Sequence, residues 1–183
     1  MSFKLRVKAG GGPGSRVACA LPAALLAAGV AHADLSLRNA TDAMLTCRVD
    51  GRYARDDGGA LDLVLIEAAP MQAGQRIGGA PVWLRVWRPE RVRFASLELA
   101  CDGTLDAHAV ALHAVLARDD PFWDVDRASW PRCAPDPFVD SELEIVRDRR
   151  GDADGFAVRG VCRTAQGSAA YQGLHPIDFE YLP

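Results

Sequence analysis

The stretch RVRFASLELACDG, residues 91–103, indicates that the chain forms β-structure. Leu97, Leu99 and Cys101 alternate with other residues, so on an extended strand all three side chains share one face. The Asp102-Gly103 pair that follows is typical of a tight turn. The stretch is therefore predicted to be a half-buried strand with a cysteine on its apolar face.

Other segments repeat this pattern between turn residues, which favours a mainly β fold. Further strands are predicted at 34–40, 43–49, 60–68, 81–87, 142–148, 155–164 and 177–182, with a turn at Asp50-Gly51. Frequent turns at short spacing favour an antiparallel β-sandwich, Ig-like or similar. Residues 104–120 fit two structures, because their apolar spacing suits a strand and their alanine content suits one short helix around 104–118.

The N-terminal segment, residues 1–33, has the pattern of a cleaved secretory signal peptide. Four basic residues and no acids precede an apolar run at 17–31. The sequence Ala31-His32-Ala33 follows at the end of this run, as at a cleavage site. The run is shorter than the roughly 20 residues of a membrane span. We therefore expect an exported protein, periplasmic or extracellular, with a single domain at 34–183 and no stable membrane span in the mature chain.

Charge argues against nucleic acid as a partner. Residues 34–183 contain 17 arginines, no lysine and all 24 acids, which gives a formal charge of −7. Affinity for nucleic acid depends mainly on neutralising phosphates, for which an acidic chain is poorly suited.

Four cysteines remain after the predicted cleavage, and an even number in an exported chain indicates two disulfides. Cys47 and Cys101 both lie on the apolar face of a predicted strand, where a disulfide could cross the core of a sandwich. The hairpin predicted over 142–164 brings Cys133 near Cys162. The preferred pairing is thus Cys47–Cys101 and Cys133–Cys162. The chain contains no Cys-x-x-Cys motif, which disfavours zinc or thioredoxin-type chemistry.

Catalytic motifs are largely missing, so we expect no enzyme of the common classes, no cofactor and no metal. The mature chain lacks the lysine of Schiff-base and P-loop chemistry, and it lacks the Gly-x-Ser-x-Gly and His-Glu-x-x-His motifs. His108 and His113 are spaced so that they point to different faces, and His175 stands alone. The acids at 119–126 and 152–154 are interpreted as parts of exposed loops.

A pair of carboxylates is the catalytic arrangement that stays open. Glu142 and Glu144 lie on one face of a predicted strand, and glycoside hydrolysis needs two carboxyl groups, one of them protonated. The same pair is also what the exposed side of an ordinary strand looks like. Asn39-Ala40-Thr41 matches the N-glycosylation sequon, which matters in a eukaryotic source.

The segment PVWLRVW, residues 81–87, supplies the candidate binding residues. On a strand, Val82, Leu84 and Val86 face one way and Trp83, Arg85 and Trp87 face the other. Tryptophan and arginine dominate binding hot spots, so this face suits a protein or a glycan. The alternative is that the indoles lie in the core.

The sequence thus predicts a non-enzymatic binding or inhibitor-type domain that engages a protein or glycan partner. Two alternatives remain: a small secreted hydrolase with a carboxylate pair, and a structural subunit of an envelope assembly.

Overall fold

The computed structural model describes residues 35–79, 91–125, 140–148, 155–164 and 167–183. These residues form ten strands, and the mainly β prediction is confirmed. The strands are β1 (Leu35–Asn39), β2 (Met44–Arg55), β3 (Ala60–Met71), β4 (Arg76–Gly78), β5 (Val92–Leu105), β6 (His108–Ala117), β7 (Asp140–Arg147), β8 (Phe156–Thr164), β9 (Gly167–Ala170) and β10 (His175–Tyr181).

All ten strands belong to one sheet that is nearly closed into a barrel, which is not a clear example of the predicted antiparallel sandwich. The order is β3-β2-β5-β6-β10-β8-β7-β1-β4, with β9 paired to β8. The sheet is also mixed, because β1 and β7 run parallel. Sequence patterns give strands and turns, but they do not specify which strands pair across long separations.

The sheet has two halves, and β10 joins them. The long-strand half consists of β2, β3, β5 and β6, and the short-strand half consists of β1, β4, β7, β8 and β9. The first residues of β10 pair with β8, and its last residues, Asp178–Tyr181, pair with β6. One strand therefore continues from one half of the sheet into the other.

The end strands β3 and β4 approach each other at the remaining seam. Gly79, directly after β4, donates its backbone N–H to Leu35 O at 2.9 Å. A Cβ at position 79 would overlap the backbone oxygen of Leu65 on β3. The seam is thus tight enough to require a residue without a side chain.

The disulfide Cys47–Cys101 is confirmed, but it does not cross a core between two sheets. Cys47 on β2 lies directly opposite Cys101 on β5 in neighbouring antiparallel strands, with 4.1 Å between their Cα atoms. Cys162 is also disulfide-bonded. Cys133 lies outside the described residues, so the pairing Cys133–Cys162 stays a prediction.

Two predicted turns and the alternative helix are wrong. Asp50-Gly51 lies inside β2 and Asp102-Gly103 lies inside β5. Both glycines permit close packing: a Cβ on Gly51 would lie 2.7 Å from Leu65 Cδ1, and one on Gly103 would overlap Met44 O. The turn after β5 instead uses Asp106 and Ala107, both with positive φ. It leads into β6, so the segment around 104–118 forms a hairpin rather than a helix.

Alternating apolar residues of every long strand fill the interior. Aromatic side chains close one part of it, where Trp123 is fully buried and contacts the rings of Phe94, Phe122 and Tyr171. The Trp123 Nε1–H donates to Ala117 O at 2.7 Å, which satisfies its polar atom. Burial raises the pKa of Tyr171, even though a hydrogen bond with Ser141 opposes that effect.

Candidate functional site

The outward face of β7 carries two carboxylates above a buried face. Along this strand Ser141, Leu143 and Ile145 point into the core, so Glu142 and Glu144 point outward. Their side chains are nevertheless only 13% and 15% exposed. Side chains from the neighbouring strands must therefore cover them.

Arginines on both sides cover Glu144. The parallel register places Arg38 of β1 beside it, and the antiparallel register places Arg159 of β8 on its other side. Arg38 Nη1 donates to Oε1 at 3.0 Å, and Arg159 Nε donates to Oε2 at 2.7 Å. Each carboxylate oxygen thus has its own guanidinium.

Glu142 is also held by two arginines, but neither lies directly opposite it in the register of the strands. Arg163 Nη2 of β8 donates to Oε2 at 2.7 Å, and Arg76 Nη2 of β4 donates to Oε1. We call the two glutamates and the four arginines, Arg38, Arg76, Arg159 and Arg163, the arginine–glutamate ladder. It links four neighbouring strands, β4, β1, β7 and β8, by ion pairs across the outside of the sheet.

These contacts hold the pKa of Glu144 below its ordinary value. Partial burial acts in the opposite direction, because it disfavours the charged carboxylate. The hydrogen bonds and positive charges of Arg159 and Arg38 outweigh that effect. Glu144 is therefore ionised at neutral pH and does not supply the protonated carboxyl that glycoside hydrolysis requires.

A groove of about 550 Å³ runs along the β8 side of the ladder. Arg159 and Arg163 lie on its wall, four residues apart on one strand, which corresponds to about 13 Å at ~3.3 Å per residue. Between them, Val161 projects from the same face of β8. Ala170 of β9 lies opposite Val161, and Leu174 completes an apolar strip. The groove therefore places an apolar strip between two cations.

The ladder arginines keep hydrogen-bonding capacity. Their side chains are 46% to 55% exposed, and each uses a single nitrogen atom in its contact with a glutamate. A guanidinium has five N–H donors, so most of them remain available to a ligand. Asp140, which lies opposite Arg163, adds a third carboxylate to this face. Among the described residues of this face, four arginines then exceed three acids, whereas the chain as a whole carries a charge of −3.

Trp83, Arg85 and Trp87 lie outside the described residues, so their assignment as binding residues stays a prediction. Glu98 of β5 lies 2.9 Å from His113 Nε2 on the long-strand half. Within the part of the chain that the structure describes, no group of histidine, cysteine or acidic side chains is arranged to hold a metal ion.

The sequence suggested that His175 stands alone, but in the structure it has a partner. Its Nδ1 lies 2.9 Å from Asp120 Oδ2, and both side chains are about four-fifths buried. The second oxygen of Asp120 accepts the backbone N–H of Phe122 at 2.8 Å and so caps a short 3-10 turn, Pro121–Trp123. This pair joins β10 to that turn. Neither residue lines the groove.

The sequon asparagine serves the fold. Asn39 is fully buried, and its side-chain amide donates to Ala43 O at 2.8 Å and Met71 O at 3.2 Å. Its Oδ1 accepts from Thr41 N at 3.0 Å and from Thr41 Oγ1. This side chain is thus fully hydrogen-bonded and could not carry a glycan in the folded protein.

The sequence identified the two glutamates as a pair but did not identify their partners. The alternation in FAVRGVCRT, residues 156–164, places Arg159 and Arg163 on one face, and this was the available signal. Nothing in the sequence predicts that β1 lies beside β7 and that β4 lies beside β1, so Arg38 and Arg76 could not be assigned to the site.

Comparisons with known proteins give no function, because no protein-family model, curated protein or solved structure matches the chain. Among the described residues, no helix has the length and apolar character needed to cross a membrane.

Proposed function

We propose that this protein is an exported, non-enzymatic binding domain that engages a protein or glycan partner through the groove beside the arginine–glutamate ladder. One observation carries the proposal: half-exposed Arg159 and Arg163 flank an apolar strip in a groove of about 550 Å³. Binding sites commonly combine apolar surface with a few fixed polar groups. The ion pairs with glutamate hold both guanidinium groups in place before a partner arrives, which lowers the entropy lost on binding.

Export and a second disulfide belong to the same proposal. Disulfides persist mainly in oxidising compartments, and Cys47–Cys101 is consistent with such an environment. The signal peptide at 1–33, the periplasmic or extracellular location and the pairing Cys133–Cys162 all fit this proposal. The mass of the intact protein before and after reduction tests the cleavage and the number of disulfides.

The two alternative functions receive less support. Both carboxylates of the Glu142–Glu144 pair are held by arginines, an arrangement that stabilises their charged forms. A carboxylate-pair hydrolase would have to use other acids. A structural envelope subunit would be expected to form a stable oligomer, which size-exclusion chromatography would reveal.

A matched pair of substitutions tests the proposed surface. Leu174→Glu places a charge in the groove, and Val115→Glu makes the same kind of change on β6, in the other half of the sheet. Both residues are partly exposed, at 40% and 48%, so neither change should disrupt the core. The immobilised wild-type protein and each variant are incubated with envelope and extracellular extracts, and the captured proteins and glycans are identified by mass spectrometry.

We expect Leu174→Glu to lose the specific partner and Val115→Glu to retain it. Retention of every captured species by Leu174→Glu would contradict the proposed groove. The variant Trp83→Ala/Trp87→Ala is the third arm, since loss of capture in this variant alone would assign binding to Trp83, Arg85 and Trp87 instead.

A further inference from the structure

We infer that the groove binds an acidic glycan in which charged and neutral sugars alternate. This inference rests on the proposed function, because it names the class of partner for the same groove. The argument uses the order of side chains along β8, the available donors of the ladder and the charge of this face.

The order along β8 is cation, apolar residue, cation. Arg159 and Arg163 are about 13 Å apart at ~3.3 Å per residue, with Val161 between them on the same face. A chain with an acid on every unit would place some of its charges over Val161, Ala170 and Leu174, where they would lose water without gaining a partner. A neutral unit between two acidic ones fits this order better.

The ladder offers both kinds of hydrogen-bonding group that a sugar needs. Each guanidinium has N–H donors beyond the one used by glutamate, and these can bind a carboxylate through two parallel hydrogen bonds. The carboxylates of Glu142 and Glu144 can accept from hydroxyl groups. The apolar strip suits the C–H face of a sugar ring.

Charge distinguishes a glycan from a densely acidic peptide. Asp140, Glu142 and Glu144 form a line of acids along β7, beside the arginines of β8. A peptide with an acid at every residue would place several charges next to this line. A chain with separated carboxylates can meet Arg159 and Arg163 while presenting hydroxyl groups to the glutamates.

The test is isothermal titration calorimetry of the full chain, without residues 1–33 if these prove to be cleaved, at low ionic strength. The probe is an oligosaccharide of alternating glucuronate and N-acetylglucosamine. An N-acetylglucosamine oligomer of equal length and poly-glutamate serve as comparisons. We expect the alternating oligosaccharide to bind most tightly, with an affinity that falls as salt is added.

Arg159→Gln/Arg163→Gln should weaken binding at least about tenfold, because it removes both charge-assisted contacts. The control Arg48→Gln/Arg52→Gln removes two arginines from the long-strand half, so it changes the total charge by the same amount. Because neither of these arginines lines the groove, the affinity should stay within about twofold of that of the wild type. Leu174→Glu, which replaces none of the ladder residues, should also weaken binding. Near-ultraviolet circular dichroism verifies that each variant is folded.

Equal binding of the neutral oligomer, equal binding of poly-glutamate, or equal loss in both arginine variants would each overturn the inference. If the oligosaccharide does not bind but Leu174→Glu still abolishes capture from extracts, the inferred glycan is wrong and the proposed function stands. If the oligosaccharide does not bind and Leu174→Glu captures the same species as the wild type, both the inference and the proposed function are wrong.

Discussion

The two halves of the sheet are held together across their strands in different ways. In the long-strand half, β2 and β5 are joined by a covalent bond between Cys47 and Cys101, and the surface ion pairs are open to water. In the short-strand half, the ladder joins four strands through two carboxylates that are largely covered. Among the described residues, a disulfide joins two neighbouring long strands, whereas ion pairs join the four neighbouring short strands; Cys162 on β8 is also disulfide-bonded, to a residue outside the described part of the chain.

Differences in solvent exposure explain why chemically similar ion pairs contribute differently to stability. Arg52 and Asp62 form an ion pair at 2.9 Å with side chains 61% and 67% exposed, so water and salt screen their attraction. Glu142 and Glu144 lose most of their water and receive two guanidinium groups each. Removing an exposed ion pair of the long-strand half should therefore change the stability of the protein little, whereas removing the carboxylates of the ladder should lower it more.

The largest effect is expected in the long-strand half. Cys47→Ala/Cys101→Ala removes the link between residues 54 positions apart, and the unfolded chain gains conformational freedom. The free energy of unfolding should fall by about 4 kcal/mol in the chain-entropy description. Urea denaturation under non-reducing conditions measures this change. A decrease below about 1 kcal/mol would show that the disulfide contributes little to stability.

The next effect compares carboxylates in the two halves. Glu142→Gln/Glu144→Gln keeps the shape of the ladder but leaves four arginines close together without their counter-charges, and it should destabilise the protein by roughly 1–3 kcal/mol. Asp50→Asn/Asp62→Asn is the matched change on the exposed pairs and should cost less than about 1 kcal/mol. Thermal and urea unfolding measure both. Equal losses would show that burial does not separate the two sets of ion pairs.

The smallest effect concerns pH. Because the pKa of Glu144 is lower in the folded protein than its ordinary value of 4.5, its ion pairs stabilise the folded state above that value. This contribution is lost as the pH falls through the lower pKa of the folded state. The stability difference between the wild type and Glu144→Gln should thus be largest near pH 7 and shrink under acid conditions.

Urea titrations of both proteins at several pH values measure this difference. A stability difference for Glu144→Gln that grows toward low pH would contradict the lowered pKa.

Local patterns predicted much of the fold. Alternation identified the strands around Leu97 and Leu99, and the shared apolar faces of Cys47 and Cys101 predicted their disulfide. Glycine was misread twice, because Gly51 and Gly103 allow neighbouring strands to pack closely instead of turning the chain. A sequence shows that a residue lacks a side chain, but not whether the space is needed for a turn or for a neighbour.

About half of the site could be predicted from the sequence. Glu142 and Glu144 were recognised as residues of one strand face, and the strand containing Arg159 and Arg163 was predicted. The long-range pairing was not available, since β1 contributes Arg38 from a position 106 residues before Glu144. The face around Trp83, Arg85 and Trp87 stays a prediction.

The parallel pairing of β1 with β7 has a consequence for the order of events during folding. Closing a loop of about 100 residues is entropically costly, and contacts between distant residues slow folding. The β2–β3 and β5–β6 hairpins can form sooner, since their strands are neighbours in the chain. We therefore expect the ladder contacts of Arg38 and Arg76 to form late, whereas formation of Cys47–Cys101 can precede them.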